Sequence, residues 1–376
     1  MKNKKILYLF SDTGGGHRSA ANALIKTVKE IMGDNAPQQE MTDVFASSNK
    51  LISLLANLYA PVIKYCPFLW GALYHATNNK LSIVIMDKIS DPFVSGKLQA
   101  LIKAKNPDII VSVHPGTNHI AAKAMKRINH NVPLLTVVTD PVTFHRVWIC
   151  PQADKIVLAT EDAKTLCGKY GFGFDNIEVL GFPIDPNFFK LSSPKKDLRR
   201  DLGIAAGKFT VLFMGGGEGG GNIYEFVAEL SKGGLDIQLI VIAGRNHLLK
   251  KRLEDNSSKF NFPIKVFGFT DQVADIMGAS DLIITKAGPG TIIEAVSKSL
   301  PIILTSFLPG QEEGNVEYVL AMQLGDLVEN RKEIVAAVKN IMQPENYKRH
   351  LAALQKENKP DAVYDIAKLI LASKNK

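Results

Sequence analysis

Short apolar runs alternate with longer amphipathic stretches along most of this chain. Runs such as KILYLF and IQLIVI are almost entirely apolar, which is typical of strands that a parallel sheet buries on both faces. Eleven such runs predict strands, six in the first half of the chain and five in the second. They lie at 5–10, 39–45, 108–113, 133–140, 155–160 and 177–181, then at 209–215, 237–244, 264–269, 281–285 and 301–306. We therefore expect an α/β fold with two doubly wound parallel sheets.

A segment rich in proline, serine and charge separates the two groups of strands, as a connection between domains does. The chain has 376 residues, 46% of them hydrophobic, which is enough for two packed cores. We expect an N-terminal domain at 1–185, a linker at 186–206, a C-terminal domain at 207–345, and terminal helices at 346–376 that pack back across the domains. Ligands of such sheets bind beyond the carboxyl ends of the strands, so the cleft between the domains is the expected site.

One apolar stretch, residues 51–74, breaks the alternation and is long enough to span a bilayer. Pro61 and Pro67 interrupt it, which argues against a continuous spanning helix. Its tyrosine and tryptophan content suits a boundary between water and lipid. Two interpretations stay open: a pair of core helices, or a segment at the membrane interface that contacts lipid through Leu69 and Trp70.

The net charge of +8 favours nucleic acid, anionic membranes or phosphorylated substrates as partners. The charges are dispersed, and no basic helix or aromatic RNA-reading motif occurs, so we expect no nucleic acid partner. The three cysteines are far apart and have neither metal-binding spacing nor the pattern of a disulfide framework. The basic N-terminus lacks the features of a signal peptide, and we expect a cytoplasmic protein.

Three glycine-rich turns each follow a strand and open a helix. They are GGGH at 14–17, GGGEGGGN at 215–222 and KAGPGTIIEA at 286–295. Glycine lets the backbone approach a ligand, and the N–H groups at a helix start favour an anion such as phosphate. The alternative is that the glycines only allow a tight turn between a strand and a helix. This explains one such site more easily than it explains three.

Two nucleotide-binding motifs fit these turns poorly. Gly215, Gly217 and Gly220 satisfy G-x-G-x-x-G, but the next strand ends in Gly244 and Arg245, where a dinucleotide fold has an acidic residue. No turn contains the G-K-[ST] of a P-loop, which disfavours NTP hydrolysis.

The third turn carries a second candidate feature, because Glu294 lies one helical turn after Thr291 on the same face. A carboxylate there suits a ribose diol, while Thr291 and backbone amides hold phosphate. The alternative is a capping pair, in which the threonine begins the helix. Gln311, Glu312 and Asn315 follow a Pro-Gly turn after the next strand, and their side chains suit sugar hydroxyls.

Several motifs occur in one order across nearly the whole chain: SDTGGGHRSAANAL, VSVHP, TVVTD followed by a histidine and a tryptophan, GFP, TKAGPGTIIEA and PGQEEGN. Together they resemble the monogalactosyldiacylglycerol synthase family, which includes the bacterial processive diacylglycerol glucosyltransferases and is similar in fold to the glycosyltransferase MurG. The resemblance implies a GT-B architecture, in which two Rossmann-like domains face a cleft. It also implies an inverting enzyme that moves galactose or glucose from a UDP-sugar to diacylglycerol, forming a β-glycosyldiacylglycerol at the membrane surface.

The resemblance also implies roles for individual residues, with His17 as the catalytic residue. The acceptor side would include Gly15, Gly16, His114, Pro115, Asp140, His145 and Trp148. The donor side would include Gly215, Gly216, Gly217, Gly288, Gly290 and Thr291 at the diphosphate, Phe269 at the uracil, Glu294 at the ribose, and Gln311, Glu312 and Asn315 at the sugar. The residues after HP and TD, in HPGTNH and TDPVTFHRVW, depart from the family's usual pattern in the acceptor pocket.

The implied chemistry is simple. A histidine with an ordinary pKa of ~6.5 can remove the proton of the acceptor hydroxyl at neutral pH. Helix N-termini and backbone amides can stabilise the leaving UDP without a metal, so we expect no metal and no cofactor. The expected partners are UDP-glucose or UDP-galactose, a diacylglycerol or glycolipid acceptor, and an anionic membrane surface. The enzyme would attach peripherally to the inner face of the cell membrane.

Three alternatives remain at the level of sequence. One is a MurG-like transferase with a polyprenyl-linked acceptor, and another is a UDP-sugar epimerase with the same two-domain fold. The third is a sensor that binds a UDP-sugar without turnover. An epimerase needs no membrane contact, and a sensor has no need of His17.

Overall fold

The computed structural model describes residues 4–11, 15–46, 62, 66–190, 193–217, 219–220 and 222–373, and within these it leaves the side chains of 87 and 89–94 aside. Of the apolar stretch at 51–74, residues 51–61 and 63–65 therefore lie outside the described residues.

The chain divides into two compact units. Unit 1 contains residues 1–186, 308–311 and 361–376, and unit 2 contains residues 187–307 and 312–360.

Unit 1 is built on a six-stranded parallel sheet with the order β2-β1-β3-β4-β5-β6. The strands are β1 (Lys5–Phe10), β2 (Gln38–Asp43), β3 (Ile109–Ser112), β4 (Leu134–Val137), β5 (Lys155–Leu158) and β6 (Ile177–Val179). All positions of β3 and β4 are buried, as their continuous apolar sequences predict. The chain leaves β1 toward β2 on one side and returns to β3 on the other, so a topological switch point lies between β1 and β3.

Helices cover the sheet of unit 1 and add an apolar surface of their own. They are α1 (Gly16–Met32), α2 (Pro67–Thr77), α3 (Lys80–Lys105), α4 (Asn118–Arg127) and α5 (Glu161–Tyr170). The terminal helix, Ala362–Ala372, belongs to the same unit, and its end is tied to β1 by the ammonium of Lys4, which donates to the carbonyl of Leu371. Among the described residues, no helix combines the length and the apolar character required to cross a membrane.

Unit 2 is built on a second six-stranded parallel sheet, with the order β12-β11-β10-β7-β8-β9. The strands are β7 (Phe209–Met214), β8 (Ile237–Ile242), β9 (Ile264–Phe267), β10 (Leu282–Lys286), β11 (Ile302–Ser306) and β12 (Gly325–Leu327). Read from β9, this is the dinucleotide-fold order 3-2-1-4-5-6, and its switch point lies between β7 and β10.

The helices of unit 2 enclose a core of valine, leucine, isoleucine and phenylalanine side chains from both faces of its sheet. They are α6 (Lys195–Asp201), α7 (Ile223–Ser231), α8 (His247–Asp255), α9 (Val273–Ala279), α10 (Pro289–Ser297), α11 (Glu313–Ala321), α12 (Ile334–Met342) and α13 (Pro344–Glu357). We label the terminal helix of unit 1 α14.

The segment expected to be a linker is partly helical. It contains α6, whose Arg199 is buried and donates to the carbonyl of Ala279 and to the carboxylate of Asp281. These bonds make α6 an integral part of unit 2.

All eleven predicted strands are confirmed, because each predicted run overlaps one of the strands β1 to β11 with its bounds shifted by a few residues at most. The sequence missed β12, a three-residue edge strand of sequence GDL. Its strand state comes from pairing with β11 rather than from an apolar run of its own.

Candidate functional site

The turn after β1 lies at the switch point of unit 1 and opens α1. Gly15 has a φ of 86°, a left-handed backbone that glycine adopts without strain, and it stands at the N-cap of the helix. A Cβ added at Gly15 or Gly16 would meet no atom of the described residues within 4 Å. Packing against these residues therefore does not require glycine at 16, the position just before His17, whereas the φ of Gly15 favours glycine by itself.

His17 is oriented by two neighbouring loops of the same unit. Its Nδ1 lies 2.8 Å from the carbonyl oxygen of Val113, just after β3, and 2.8 Å from the hydroxyl of Thr139, just after β4. A carbonyl oxygen can only accept, so Nδ1 carries the ring proton in this arrangement. The basic nitrogen of the neutral ring is consequently Nε2.

His114 packs against His17, with ring centroids 4.5 Å apart and the rings edge to face. Its Nδ1 accepts a hydrogen bond of 3.1 Å from the amide of Gly116. Burial, reinforced by the neighbouring His17, lowers the pKa of His114 well below its ordinary value. His114 therefore stays neutral near pH 7 and does not compete with His17 as a charged group.

Asp140 and Trp148 are joined to each other, because the indole N–H of Trp148 donates to the carboxylate over 2.7 Å. The Trp148 ring is fully buried, and its centroid lies 6.2 Å from that of His17. The expected acceptor-side residues thus divide into two groups. His17 is half-buried beside the glycine turn, and a buried layer behind it consists of His114, Asp140, His145 and Trp148. Pro115, next to His114, is half-buried at the start of a short helical turn.

His145 belongs to the same buried layer, and both of its ring nitrogens have hydrogen-bond partners. Its Nδ1 accepts from the amide of Val147, and its Nε2 lies 3.2 Å from the hydroxyl of Thr77. Burial and the adjacent Arg146 cation lower its pKa to about 4, although a backbone hydrogen bond with Tyr74 opposes the shift. This places α2, which carries Thr77 and Tyr74, directly against the histidine-bearing loops.

The outer surface of α2 and the start of α3 are apolar. Leu69 is 62% exposed, which contradicts the core interpretation for this residue, whereas Trp70 is half-buried and its indole nitrogen is enclosed. The other large apolar side chains exposed on these two helices are Phe68, Leu73, Leu81, Val84, Ile85 and Met86. Exposed apolar side chains grouped on neighbouring helices are typical of interaction surfaces.

The glycine-rich loop after β7 lies at the switch point of unit 2, and it packs on itself. A Cβ at Gly215 would lie 2.0 Å from the carbonyl oxygen of Gly220, and one at Gly219 would lie 2.0 Å from that of Ala243. Gly244 is equally confined, because its Cβ would lie 2.3 Å from the oxygen of Gly217. These glycines are required by close contacts within the loop, whereas Gly216 has its nearest neighbour at 3.5 Å and is favoured by its φ of 74°.

The third turn, after β10, presents backbone amides to open space. Gly288 is the N-cap of α10, and the first helical hydrogen bond runs from the amide of Ile292 to its carbonyl. The amides of Gly290 and Thr291 precede that bond, and a Cβ at Gly290 would meet nothing within 4 Å. The capping-pair alternative for Thr291 and Glu294 is therefore wrong, because Thr291 lies inside the helix.

Glu312 lies beside this turn rather than at an open surface. Its carboxylate is buried and accepts a hydrogen bond of 2.8 Å from the ammonium of Lys286, at the end of β10. Asn315 is also buried, and its amide donates to the carbonyl of Ala287. Gln311, in the short segment of the chain that belongs to unit 1, is half-buried.

Phe269, expected at the uracil, is 65% exposed, and the guanidinium of Arg245 lies over its ring at 4.7 Å. The amide of Arg245 donates to the carbonyl of Gly217, which ties this pair to the glycine-rich loop. Glu294 is half-buried on α10.

Sequence reasoning missed four residues that shape these two sites: Val113, Thr139, Arg245 and Lys286. Thr139, Arg245 and Lys286 lie at the carboxyl ends of strands, next to residues of the motifs. That position is the signal that could have identified them. Val113 contributes only its carbonyl oxygen, and the identity of its side chain cannot reveal that role.

Comparisons with known proteins agree with this two-unit arrangement. Residues 17–184 match the family described as monogalactosyldiacylglycerol (MGDG) synthase, and residues 210–370 match the glycosyltransferase family 28 C-terminal domain. The chloroplastic monogalactosyldiacylglycerol synthase of Spinacia oleracea is 34% identical over 375 residues, covering 96% of this chain and 71% of the relative.

Solved structures with the same fold are more distant in sequence. MurG of Acinetobacter baumannii superimposes with a TM-score of 0.62 at 12% identity, covering 98% of this chain and 99% of its own. UDP-GlcNAc 2-epimerase from Neisseria meningitidis bound to UDP-GlcNAc has a TM-score of 0.62 at 15% identity, covering 98% and 99%. These likenesses confirm the expected GT-B fold. The chain belongs to the monogalactosyldiacylglycerol synthase family and is a glycosyltransferase.

Proposed function

We propose that this chain transfers a hexose from a UDP-sugar to diacylglycerol, with inversion at the anomeric carbon. The observation that carries the proposal is the arrangement of His17. Its Nδ1 contacts the carbonyl of Val113 and the hydroxyl of Thr139, which leaves Nε2 as the basic nitrogen. The adjacent Gly16 of the glycine turn has room for a ligand, since a Cβ there would meet no atom of the described residues within 4 Å. This turn lies at the switch point of its sheet, where doubly wound folds bind ligands.

In the proposed reaction, the free hydroxyl of diacylglycerol attacks C1 of the donor sugar. Its proton passes to Nε2 of His17, and the bond between C1 and the diphosphate oxygen breaks to release UDP. The carbonyl of Val113 accepts from Nδ1–H and so stabilises the imidazolium that forms, as an oriented acceptor does in other histidine bases. Thr139 restricts rotation of the ring.

The proposed donor site lies in unit 2, around the turn that begins α10. The amides of Gly290 and Thr291 would hold the diphosphate, where a helix N-terminus supplies positive potential. Glu294 would bind the ribose, and Phe269 would mark the uracil end. Gln311 would contact the hexose, which is galactose or glucose, whereas the buried Glu312 carboxylate holds Lys286.

The proposed acceptor enters from a membrane that the enzyme touches with α2 and α3. The exposed side chains of Phe68, Leu69 and Leu73 would insert among lipids at the interface. Lys80 and Lys88 are exposed on α3 beside them, and an anionic surface contributes about 1 kcal/mol per well-placed cation. We infer peripheral attachment to the inner face of the cell membrane.

The function is tested by incubating the purified protein with UDP-glucose or UDP-galactose and diacylglycerol vesicles, then resolving the lipid products. We expect a β-linked hexosyl diacylglycerol from one of the two donors. A product formed only when a polyprenyl-linked acceptor is supplied would replace this proposal by the MurG-like alternative. Epimerised UDP-sugar without transfer would replace it by the epimerase alternative. UDP-sugar binding without any product would favour a sensor.

The membrane contact is tested with the double variant Phe68→Ser and Leu69→Ser, whose side chains are exposed and whose loss should leave folding intact. We expect weaker co-sedimentation with anionic vesicles and less lipid glycosylation, with unchanged UDP binding. Leu248→Ser, which removes an exposed leucine from unit 2, is the control. Equal sedimentation of the folded double variant and the parent would reject this surface as the anchor.

A further inference from the structure

The end of β10 carries a local irregularity that aims one side chain. The pairing register between β10 and β11 shifts between Thr285 and Lys286. Such irregularities redirect side chains and often lie beside active sites. The amide of Gly288 then donates to the carbonyl of Lys286, which closes a tight turn immediately before α10.

The Lys286 side chain consequently lies between the two glycine turns of unit 2. Its Cε is 3.5 Å from the position a Cβ would take at Gly216, after β7. Its Nζ is 3.6 Å from the corresponding position at Gly288, after β10. The ammonium therefore stands at the switch point of the sheet, next to the two turns assigned to the diphosphate.

Glu312 holds this ammonium from the protein side. The contact between Lys286 Nζ and Glu312 Oε1 is 2.8 Å long, and the two partners differ in burial. The Glu312 side chain is 7% exposed, whereas that of Lys286 is 41% exposed. The carboxylate is buried and the ammonium is partly exposed to solvent, so an anion that arrives at this turn meets the ammonium first. Fixing the long lysine side chain in advance also reduces the entropy lost when it binds a ligand.

We propose that Lys286 is the cation that binds the diphosphate of the donor and neutralises the charge on UDP as it leaves. Glu312 acts as a positioning residue that keeps the ammonium between the two turns. This inference rests on the proposed UDP-sugar donor and deepens it by assigning a fixed positive charge to that site. An ammonium held in place stabilises a developing phosphate charge without reorganisation during the reaction.

The test is calorimetric titration of the full chain with UDP and, separately, with uridine, which lacks the phosphates. Lys286→Met should weaken UDP binding by about 10- to 100-fold, the usual range for losing a hydrogen bond to a charged group. It should leave uridine binding within about twofold. A loss shared equally by UDP and uridine, or no loss for either, would overturn the assignment.

Lys286→Met leaves the buried Glu312 carboxylate without its cation, which can disturb the site or the fold. The double variant Lys286→Met with Glu312→Gln removes both charges and should keep the selective loss of UDP affinity. If the double variant binds UDP as the parent does, the unpaired carboxylate caused the loss and the proposal fails. Lys251→Met, which removes an exposed cation of the Lys251–Asp255 pair on α8, controls for net charge.

These titrations use no acceptor lipid, so they separate the two proposals. A chain that binds UDP through Lys286 but transfers no sugar to diacylglycerol would refute the proposed function alone. A chain that glycosylates diacylglycerol with full UDP affinity in Lys286→Met would refute this inference alone.

Discussion

Each unit places a glycine turn after the strand beside its switch point, yet the two turns are built differently. In unit 1, the turn after β1 leaves open space at Gly15 and Gly16 and leads into a histidine. In unit 2, the turn after β7 closes on its own backbone, with Gly215 against Gly220. The same residue type therefore leaves room around the backbone in one unit and lets the backbone pack on itself in the other.

The difference extends to the groups around each turn. Unit 1 places the imidazole of His17 at its turn, with the neutral ring of His114 packed against it. Unit 2 surrounds its turns with backbone amides and the fixed charge of Lys286. The comparison predicts that unit 1 contributes proton transfer and unit 2 contributes binding of the donor.

The largest effect is expected for His17→Ala. It should reduce transfer to diacylglycerol by about 100- to 10,000-fold, the usual contribution of a general base. UDP affinity, measured by calorimetry, should remain near that of the parent, because the donor turns lie in the other unit. A variant that retains near-normal turnover would end the assignment of His17 as the base.

The matched control is His130→Ala. His130 also places a ring nitrogen 2.8 Å from a backbone carbonyl, that of Pro107, but it has no glycine turn beside it. We expect this variant to keep its turnover. A comparable loss in both variants would point to folding rather than to chemistry.

The two kinds of glycine are compared by Gly215→Ala and Gly290→Ala. The first should destabilise the fold by about 1–3 kcal/mol or more, because its Cβ would overlap the oxygen of Gly220. The second should leave the melting temperature unchanged or slightly raised, since alanine favours helix and has room there. It should instead lower UDP affinity, because the new methyl group lies beside the amides of α10. A normal melting temperature for Gly215→Ala would contradict the packing described for this loop.

The fold was accessible from sequence because buried parallel strands leave long apolar runs that few other elements imitate. All three glycine turns could be found from the sequence for a related reason, because each lies between an apolar strand and the helix that follows it. Sequence did not distinguish their roles, because the contact of Gly215 with Gly220 depends on the path of the backbone through space. The β12 strand escaped because pairing, not composition, defines it.

Prediction of the site from the sequence has the same limit. His17 was identifiable from its turn, but its tautomer depends on the carbonyl of Val113, almost a hundred residues away. Trp148 was expected to line the acceptor side, and its burial against Asp140 emerges only from packing. Lys286 was overlooked because a lysine at a strand end is ordinary until its neighbours are known.

A smaller effect is expected for Glu294→Ala, which tests whether donor binding resides in unit 2. It should weaken UDP binding by about 10-fold or more, as expected for losing a charged acceptor of ribose hydrogen bonds. Gln311→Ala, whose residue is assigned to the hexose, should change the choice or rate of sugar transfer and spare UDP itself. Calorimetry with UDP alone separates the two. Parent-like UDP affinity in Glu294→Ala would show that the ribose lies elsewhere.

The histidine-rich surroundings of unit 1 predict an acid-dependent loss of stability. His145 has a pKa of about 4 in the folded chain and an ordinary value of ~6.5 when unfolded, so only the unfolded chain binds the proton between these values. Stability should therefore fall as the pH drops from about 6.5 to 4, by about 2 kcal/mol from this residue. His145→Asn, whose oxygen can still accept from Val147, should flatten that part of the profile in denaturant titrations. An unchanged profile would contradict the lowered pKa.

The smallest effect is expected from chelation, which asks whether the fixed charges of unit 2 suffice at the diphosphate. The amides of Gly290 and Thr291, the N-terminus of α10 and the Lys286 ammonium together supply positive potential at one turn. Transfer in EDTA should therefore equal transfer without it, and added Mg²⁺ or Mn²⁺ should change the rate little. Lys286→Met makes the same test more sensitive, because a divalent cation can then replace the lost charge and partly restore the rate. Loss of parent activity in EDTA with recovery on adding Mg²⁺ would mean that unit 2 needs a metal, and the contrast between its turns and those of unit 1 would have to be redrawn.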